Sequence, residues 1–218
     1  MDDSPRWARL IDEVAAFAVS GCCAGCDIPG TLLCPPCRRA LTQAPQKRTT
    51  PTGLPVVAAL TYEGVAARCI RRIKEDGETV LARPLGSALA AAARELPPGQ
   101  GFVPVPTSRS AFRKRGYRVP ELLMRRAALP VDRRLRSVRR IADQRELGVA
   151  ERARNVSRSM VARHARVECD VVVVDDVITT GATLDEAARA LEYAGFRVRG
   201  ALVLAATPRH RDDAENTW

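Results

Sequence analysis

Residues Val171–Leu184 read VVVVDDVITTGATL, and the fold turns on how that stretch is understood. Four consecutive valines, Val171 to Val174, are too few and too β-branched for a helix. They predict a strand buried on both faces, as in a parallel sheet. Asp175 and Asp176 follow at its carboxyl end, the edge at which open α/β sheets hold ligands. The loop Thr179-Thr180-Gly181-Ala182-Thr183 comes next, then a helix with Leu184, Ala187, Ala188 and Leu191 on one face. Glycine permits a tight turn, so backbone N–H groups and threonine hydroxyls can converge on an anion at the helix N-terminus. Two carboxylates beside that cradle would repel a bare phosphate but suit a sugar phosphate. The acids take hydroxyls or a metal, and the loop takes the phosphate.

Competing readings of the stretch are weaker. A Walker B strand would need a G-x-x-x-x-G-K-[ST] partner, which the chain lacks. An acidic pair of receiver-domain type belongs near the start of its domain rather than the end. Thr180 or Thr183 as a plain helix cap, with solvated acids, explains each residue singly but not their conjunction.

Working outward, 218 residues allow one α/β domain with a small appendage. An apolar fraction of 46% with only 4% aromatics implies an aliphatic core. The net charge of +10 favours anionic partners such as phosphates, nucleic acid or a membrane surface. No run reaches the roughly 18 apolar residues of a membrane span. Val19-Ser20-Gly21-Cys22 resembles a lipoprotein cleavage box. Asp2, Asp3, Asp12 and Glu13 stand where a signal peptide needs a basic start and an apolar centre, so a cytoplasmic protein with reduced thiols is expected.

Toward the N-terminus, Trp7, Leu10, Ile11, Val14, Phe17 and Ala18 recur at helical spacing between Pro5 and about Ser20. Cys23-Ala-Gly-Cys26 and Cys34-Pro-Pro-Cys37 then form two C-x-x-C pairs, each offering half of a tetrahedral Zn²⁺ site. Cys22 competes with Cys23 as the first ligand. Two disulfides or a redox C-x-x-C are the other readings. A four-cysteine zinc would be structural, with no open position for chemistry. Cys69 and Cys169 stand alone in apolar surroundings and are expected in the core. The expected division is a helix and zinc module over 1–42, a linker over 43–55, an α/β domain over 56–208 and a loose tail over 209–218.

Within that domain the pattern predicts a strand over Val56–Tyr62 and helices over Val65–Lys74 and Val80–Glu95. Gly101–Pro106 predicts a short strand running into a turn, and Val119–Ala128 a helix. Val131–Gln144 reads as irregular, Gln144–Ser157 as a helix with Arg152 and Asn155, and Arg197–Ala205 as the last strand. Between Arg109 and Arg154 stand fifteen basic and five acidic residues, an excess equal to that of the whole chain. A pyrophosphate needs two or three of those cations. The rest fit either a nucleic-acid backbone or a merely soluble surface.

Taken together these features resemble the ComF family over nearly the whole chain. The double C-x-x-C, Tyr62-Glu63-Gly64, Lys74 before Gly77, Pro104-Val105-Pro106, Arg115-Gly116-Tyr117, Gln144-x-x-Leu147, Arg152-x-x-Asn155 and VDDVITTGAT occur in the expected order. The chain departs at Arg115-Gly116-Tyr117-Arg118-Val119, where the family commonly reads Arg-Gly-Phe-Asn-Gln. The resemblance implies a type I phosphoribosyltransferase-like fold with a central parallel sheet, an N-terminal zinc module, and a link to competence and uptake of transforming DNA. It also implies binding of phosphoribosyl diphosphate (PRPP) or a ribose 5-phosphate nucleotide with Mg²⁺.

On that reading Thr179, Thr180, Gly181, Ala182 and Thr183 hold the 5′-phosphate, while Asp175 and Asp176 engage the ribose hydroxyls and stabilise charge at the anomeric carbon. Thr107 and Ser108 meet the pyrophosphate, and Arg113, Lys114 and Arg115 close over it on a mobile loop. Two other classes remain open. One is a non-catalytic single-stranded-DNA-binding protein of transformation, using the basic segment 109–154 with Phe112 and Tyr117 as stacking groups. The other is a scaffold for a helicase-type partner.

Overall fold

The computed structural model describes residues 21–138, 158–165 and 169–208. The expected helices over Pro5–Ser20 and Gln144–Ser157 and the tail 209–218 lie outside the described residues. In chain order the elements are α1 (Pro35–Ala40), β1 (Gln46–Thr49), β2 (Pro55–Thr61), α2 (Gly64–Glu75), a 3₁₀ turn at Thr79–Leu81, α3 (Ala82–Ala93) and β3 (Gly101–Pro104). They continue with α4 (Arg109–Arg115), α5 (Val119–Arg126), β4 (Leu135–Ser137), β5 (Met160–Ala162), β6 (Asp170–Ile178), α6 (Ala182–Tyr193) and β7 (Arg197–Ala206).

Five strands form one sheet in the order β1-β2-β7-β6-β3. β2, β7, β6 and β3 are parallel, and β1 runs antiparallel along the edge of β2. The four valines of β6 are 0–2% exposed, as a strand covered on both faces requires. Val172 and Val174 join Leu202 and Leu204 against α2, α3 and α5, while Val171 and Val173 join Ala201 and Val203 against α6. β4 and β5 pair as a separate ribbon whose Leu135 and Met160 cover the α6 side. Proline is tolerated in β3 because β3 is a sheet edge.

Three local expectations are corrected. The stretch 43–55 is not a linker throughout, since Gln46–Thr49 pairs with β2. An edge strand half open to water has no apolar face for periodicity to reveal. Likewise 131–144 is not wholly irregular, because Leu135–Ser137 pairs across the chain with Met160–Ala162. Cys69 is buried as expected, but Cys169 is exposed because it lies one residue before β6, outside the ladder. Among the described residues no helix is long and apolar enough to cross a membrane.

The cysteine segment is not an independent lobe. Leu32, Leu33 and Leu41 share one core with Ile70 and Ile73 of α2. Gly25 lies so close to that helix that a β-carbon there would stand 2.5 Å from Cys37 Sγ and 2.9 Å from Val65 Cγ1.

Candidate functional site

The register of β6 creates the site. β3 ends with Pro104 opposite Val174, and Val105 N–H closes that edge on Val174 O at 2.8 Å. Beyond that point β6 keeps only one neighbour, β7, through Asp175 opposite Val203. The two acids therefore occupy a one-sided stretch of strand where the sheet opens, rather than following the strand as the sequence suggested.

Asp176 continues the Val172, Val174 face and meets Lys74 of α2, with Nζ 2.8 Å from Oδ1. The side chains are only 24% and 15% exposed, so water screens this pair poorly. Burial works against the lysine charge, but Asp176, with help from Asp175 and Tyr62, holds Lys74 above the ordinary lysine value. Asp175 accepts the Asp176 N–H at 2.8 Å. Burial, reinforced by the neighbouring Asp176 charge, pushes the Asp175 carboxyl up to about 7.

The loop after β6 begins at Thr179, and α6 is entered through Gly181 at φ +86°. A side chain here would face strain and collision together: its β-carbon would sit 3.1 Å from Thr50 Cβ and from Pro51 Cδ. The turn between β1 and β2 is thus packed against the loop, and Thr52 Oγ1 donates to Asp185 Oδ1 at 2.6 Å. Thr180 Oγ1 accepts the Ala182 N–H at 3.4 Å. The Thr180 and Gly181 N–H groups have no acceptor among the described residues. We expect Gly181→Ala to cost about 1–3 kcal/mol of unfolding free energy, read as a lower urea midpoint with an unchanged slope.

Beside the loop lies a cleft of roughly 140 Å³, lined by Arg48, Thr49, Ile178, Thr179, Thr180, Ala206, Thr207 and Pro208. Arg48 is steadied by its Nη2 bond to Gln46 Oε1 at 3.0 Å. None of the β1 residues stood out in the sequence, because nothing local marks an edge strand that reaches a loop 130 positions later.

The basic segment is more ordered than expected. Arg109–Arg115 is a short helix rather than a loop, capped by Ser108 Oγ on the Ala111 N–H at 3.2 Å and stopped at Gly116 with φ +79°. Arg113 and Lys114 stand exposed on it and Thr107 is half-buried at its approach. Arg115 turns inward, Nε donating to Lys74 O at 2.7 Å, and the Tyr117 hydroxyl donates to Ile73 O. Arg118 covers the Phe112 ring with its guanidinium 4.6 Å from the centroid. Neither aromatic is therefore a bare stacking platform. Part of the arginine excess is also spent internally: Arg133, Arg125 and Arg118 surround the buried Glu121 at 2.5, 3.5 and 3.7 Å. Arg139, Arg140, Arg145, Arg152 and Arg154 lie outside the described residues.

A second cluster is formed by the thiols of Cys23, Cys26, Cys34 and Cys37, all within 4.8 Å of one another. Cys22 is not part of it. Four sulfurs around Zn²⁺ at about 2.3 Å stand about 3.8 Å apart, so the set fits that ion. Cys23 Sγ accepts N–H bonds from Cys34 at 3.3 Å and Gly25 at 3.4 Å. Burial raises the Cys23 thiol, but these donors outweigh it and bring it to about 6. Burial and the other three sulfurs push Cys37 up instead, a crowding that a dication would relieve.

Residues 134–218 match the phosphoribosyl transferase domain model. That match takes in β6, the acid pair, the threonine loop and α6. Among solved structures, the allosteric regulatory enzyme of purine biosynthesis is 23% identical over 56% of this chain and 25% of that one, with a TM-score of 0.35. UMP synthase from Leishmania donovani is 15% identical over 78% of this chain and 31% of that one, TM-score 0.39. Adenine phosphoribosyltransferase from Rhodothermus marinus is 18% identical over 77% of this chain and 85% of that one, TM-score 0.37. The chain therefore spans a third or less of the first two proteins. No curated protein matches it.

Proposed function

We propose that the protein binds PRPP, or a ribose 5-phosphate nucleotide, at the open end of β6 and transfers the phosphoribosyl group to an acceptor. The observation that carries this reading is the acid pair near the carboxyl end of a buried strand, with the Thr179–Thr183 loop and α6 following two residues later. Threonine hydroxyls and N–H groups at a helix N-terminus suit the 5′-phosphate, with Gly181 and Ala182 keeping the backbone accessible. Asp175 and Asp176 accept the ribose hydroxyls, and their charge stabilises the cation that develops at the anomeric carbon as pyrophosphate leaves. Thr107, Ser108, Arg113, Lys114 and Arg115 are the groups on the chain that follows β3 that answer the pyrophosphate, with Arg113 and Lys114 supplying exposed positive charge. Mg²⁺, when bound with PRPP, would supply further charge neutralisation through oxygen ligands.

The four cysteines hold a structural Zn²⁺ on this reading. The motif order along the chain supports a ComF-type protein of the cytoplasm, linked to handling of transforming DNA. Isothermal calorimetry with PRPP tests the central claim. Micromolar or tighter binding that needs Mg²⁺ is the expected result. Folded, zinc-loaded protein that takes up no PRPP would sink it.

A further inference from the structure

A 5′-phosphate on the Thr179–Thr183 loop meets neutral donors alone. No lysine or arginine stands between Asp175 and Ala188, and the first cation beyond, Arg189, is bonded to Glu186 at 2.7 Å. A phosphate dianion set near two carboxylates needs positive charge to hold it. The cleft beside the loop brings such a charge from far away in the chain. Arg48 of β1 lines it together with Thr179 and Thr180, and no acid does. The half-buried guanidinium is held in place, since Nη2 donates to Gln46 Oε1 at 3.0 Å and Gln46 Nε2 donates to Thr61 Oγ1 at 2.6 Å. Thr61 is in register with Ala206, which lines the same cleft. Yet Arg48 has no carboxylate partner among the described residues, and its Nε is closed off from solvent without an acceptor there. Arg72 and Arg133, by contrast, are paired with acids. A half-buried guanidinium without a counter-ion carries a desolvation cost that an incoming anion offsets.

Resting on the PRPP reading, we propose that Arg48 is a binding residue for the ribose 5′-phosphate, closing the phosphate site from the edge strand β1 and supplying the cation that the loop lacks. With one Nη2 hydrogen on Gln46, the second and those of Nη1 remain for phosphate oxygens. The fork of a guanidinium matches two oxygens of one phosphate better than a lysine ammonium would. Thr50 and Pro51, packed against Gly181, fix the spacing between the strand and the loop, so the charge and the neutral donors face the ligand as one set. Pyrophosphate is met separately, by the residues that follow β3, and does not depend on Arg48.

The test uses the full chain as wild type, Arg48→Gln, Arg48→Lys and Lys47→Gln, the last removing an exposed charge from the same strand. Calorimetry follows ribose 5-phosphate, PRPP with Mg²⁺ and pyrophosphate with Mg²⁺. Arg48→Gln should lose about 10- to 100-fold in affinity for ribose 5-phosphate and for PRPP, and nothing for pyrophosphate. Arg48→Lys keeps the charge without the fork and should recover only part of the loss. Lys47→Gln should bind all three as the wild type does. Unchanged ribose 5-phosphate affinity in Arg48→Gln overturns the proposal, as does an equal loss in Lys47→Gln or an equal loss for pyrophosphate. Should Arg48→Gln fail to fold, Arg48→Lys decides: a loss confined to the two ribose ligands upholds the proposal, and wild-type affinity for them overturns it. A wild type that binds ribose 5-phosphate through Arg48 but takes up no PRPP ends the transferase reading and leaves this assignment standing. A wild type that binds neither ends both.

Discussion

Changing both Asp175 and Asp176 to asparagine should weaken PRPP binding by at least about 100-fold, since two charged acceptors each contribute roughly 1.5–3 kcal/mol to a hydroxyl or cation-bridged contact. The fold itself should not suffer from losing the first of these charges. Asp175 is held up to about 7, against an unfolded value near 3.9. The folded state therefore binds that proton more tightly, and the stability this lends is complete below about pH 4 and lost as pH rises through 7. Asparagine carries no such dependence. The single variant Asp175→Asn should match the parent at pH 4 and exceed it at pH 8 by about 1–3 kcal/mol, after discounting for partial solvation and for coupling to Asp176. In a thermal melt that is about 3–8 °C. An acid that costs stability where the protein works, and binds nothing, would have no reason to stand there. A variant that binds PRPP as the parent does would remove the acid pair from the site.

The second large effect concerns the cysteine cluster. Cys23→Ser should take bound zinc from about one equivalent per chain to none, and lower the melting midpoint by about 10 °C or more. The loss is not confined to a peripheral loop, because Leu32, Leu33 and Leu41 belong to the same core as α2. Cys22→Ser should leave both metal content and midpoint unchanged, since Cys22 stands outside the group of four. Metal release measured colorimetrically beside differential scanning fluorimetry separates the two outcomes. Equal loss in both variants would contradict the ligand set.

What the sequence made legible was local. Four valines, two acids, Thr179 to Thr183 and the apolar face of α6 are consecutive or helically spaced, so strand, site and helix could be placed from residue type alone. Pairs of C-x-x-C are legible for the same reason. What stayed hidden depends on distant partners. Nothing near Lys74 announces Asp176, and nothing near Gly181 announces the turn at Thr50 and Pro51. β1 escaped notice because an edge strand has no continuous apolar face, and Cys169 was misplaced because apolar neighbours in sequence need not be neighbours in space. The arginine excess fits either a nucleic-acid surface or a merely soluble one from sequence alone, and nothing near its members in the sequence announces that Glu121 gathers three of them.

The strand order has a further consequence, for synthesis rather than chemistry. β7 is the last of the described strands, yet it lies between β2 and β6 and joins the two halves of the sheet. Until residues 197–206 leave the ribosome, β2 has only the short β1 for company, and the apolar edge of β6 is open. The β2 edge must stay unpaired for most of translation and the β6 edge from Ile178 until Arg197, and a parallel sheet of such long-range pairings closes slowly. Demand for chaperones should therefore peak late, just before the final strand arrives.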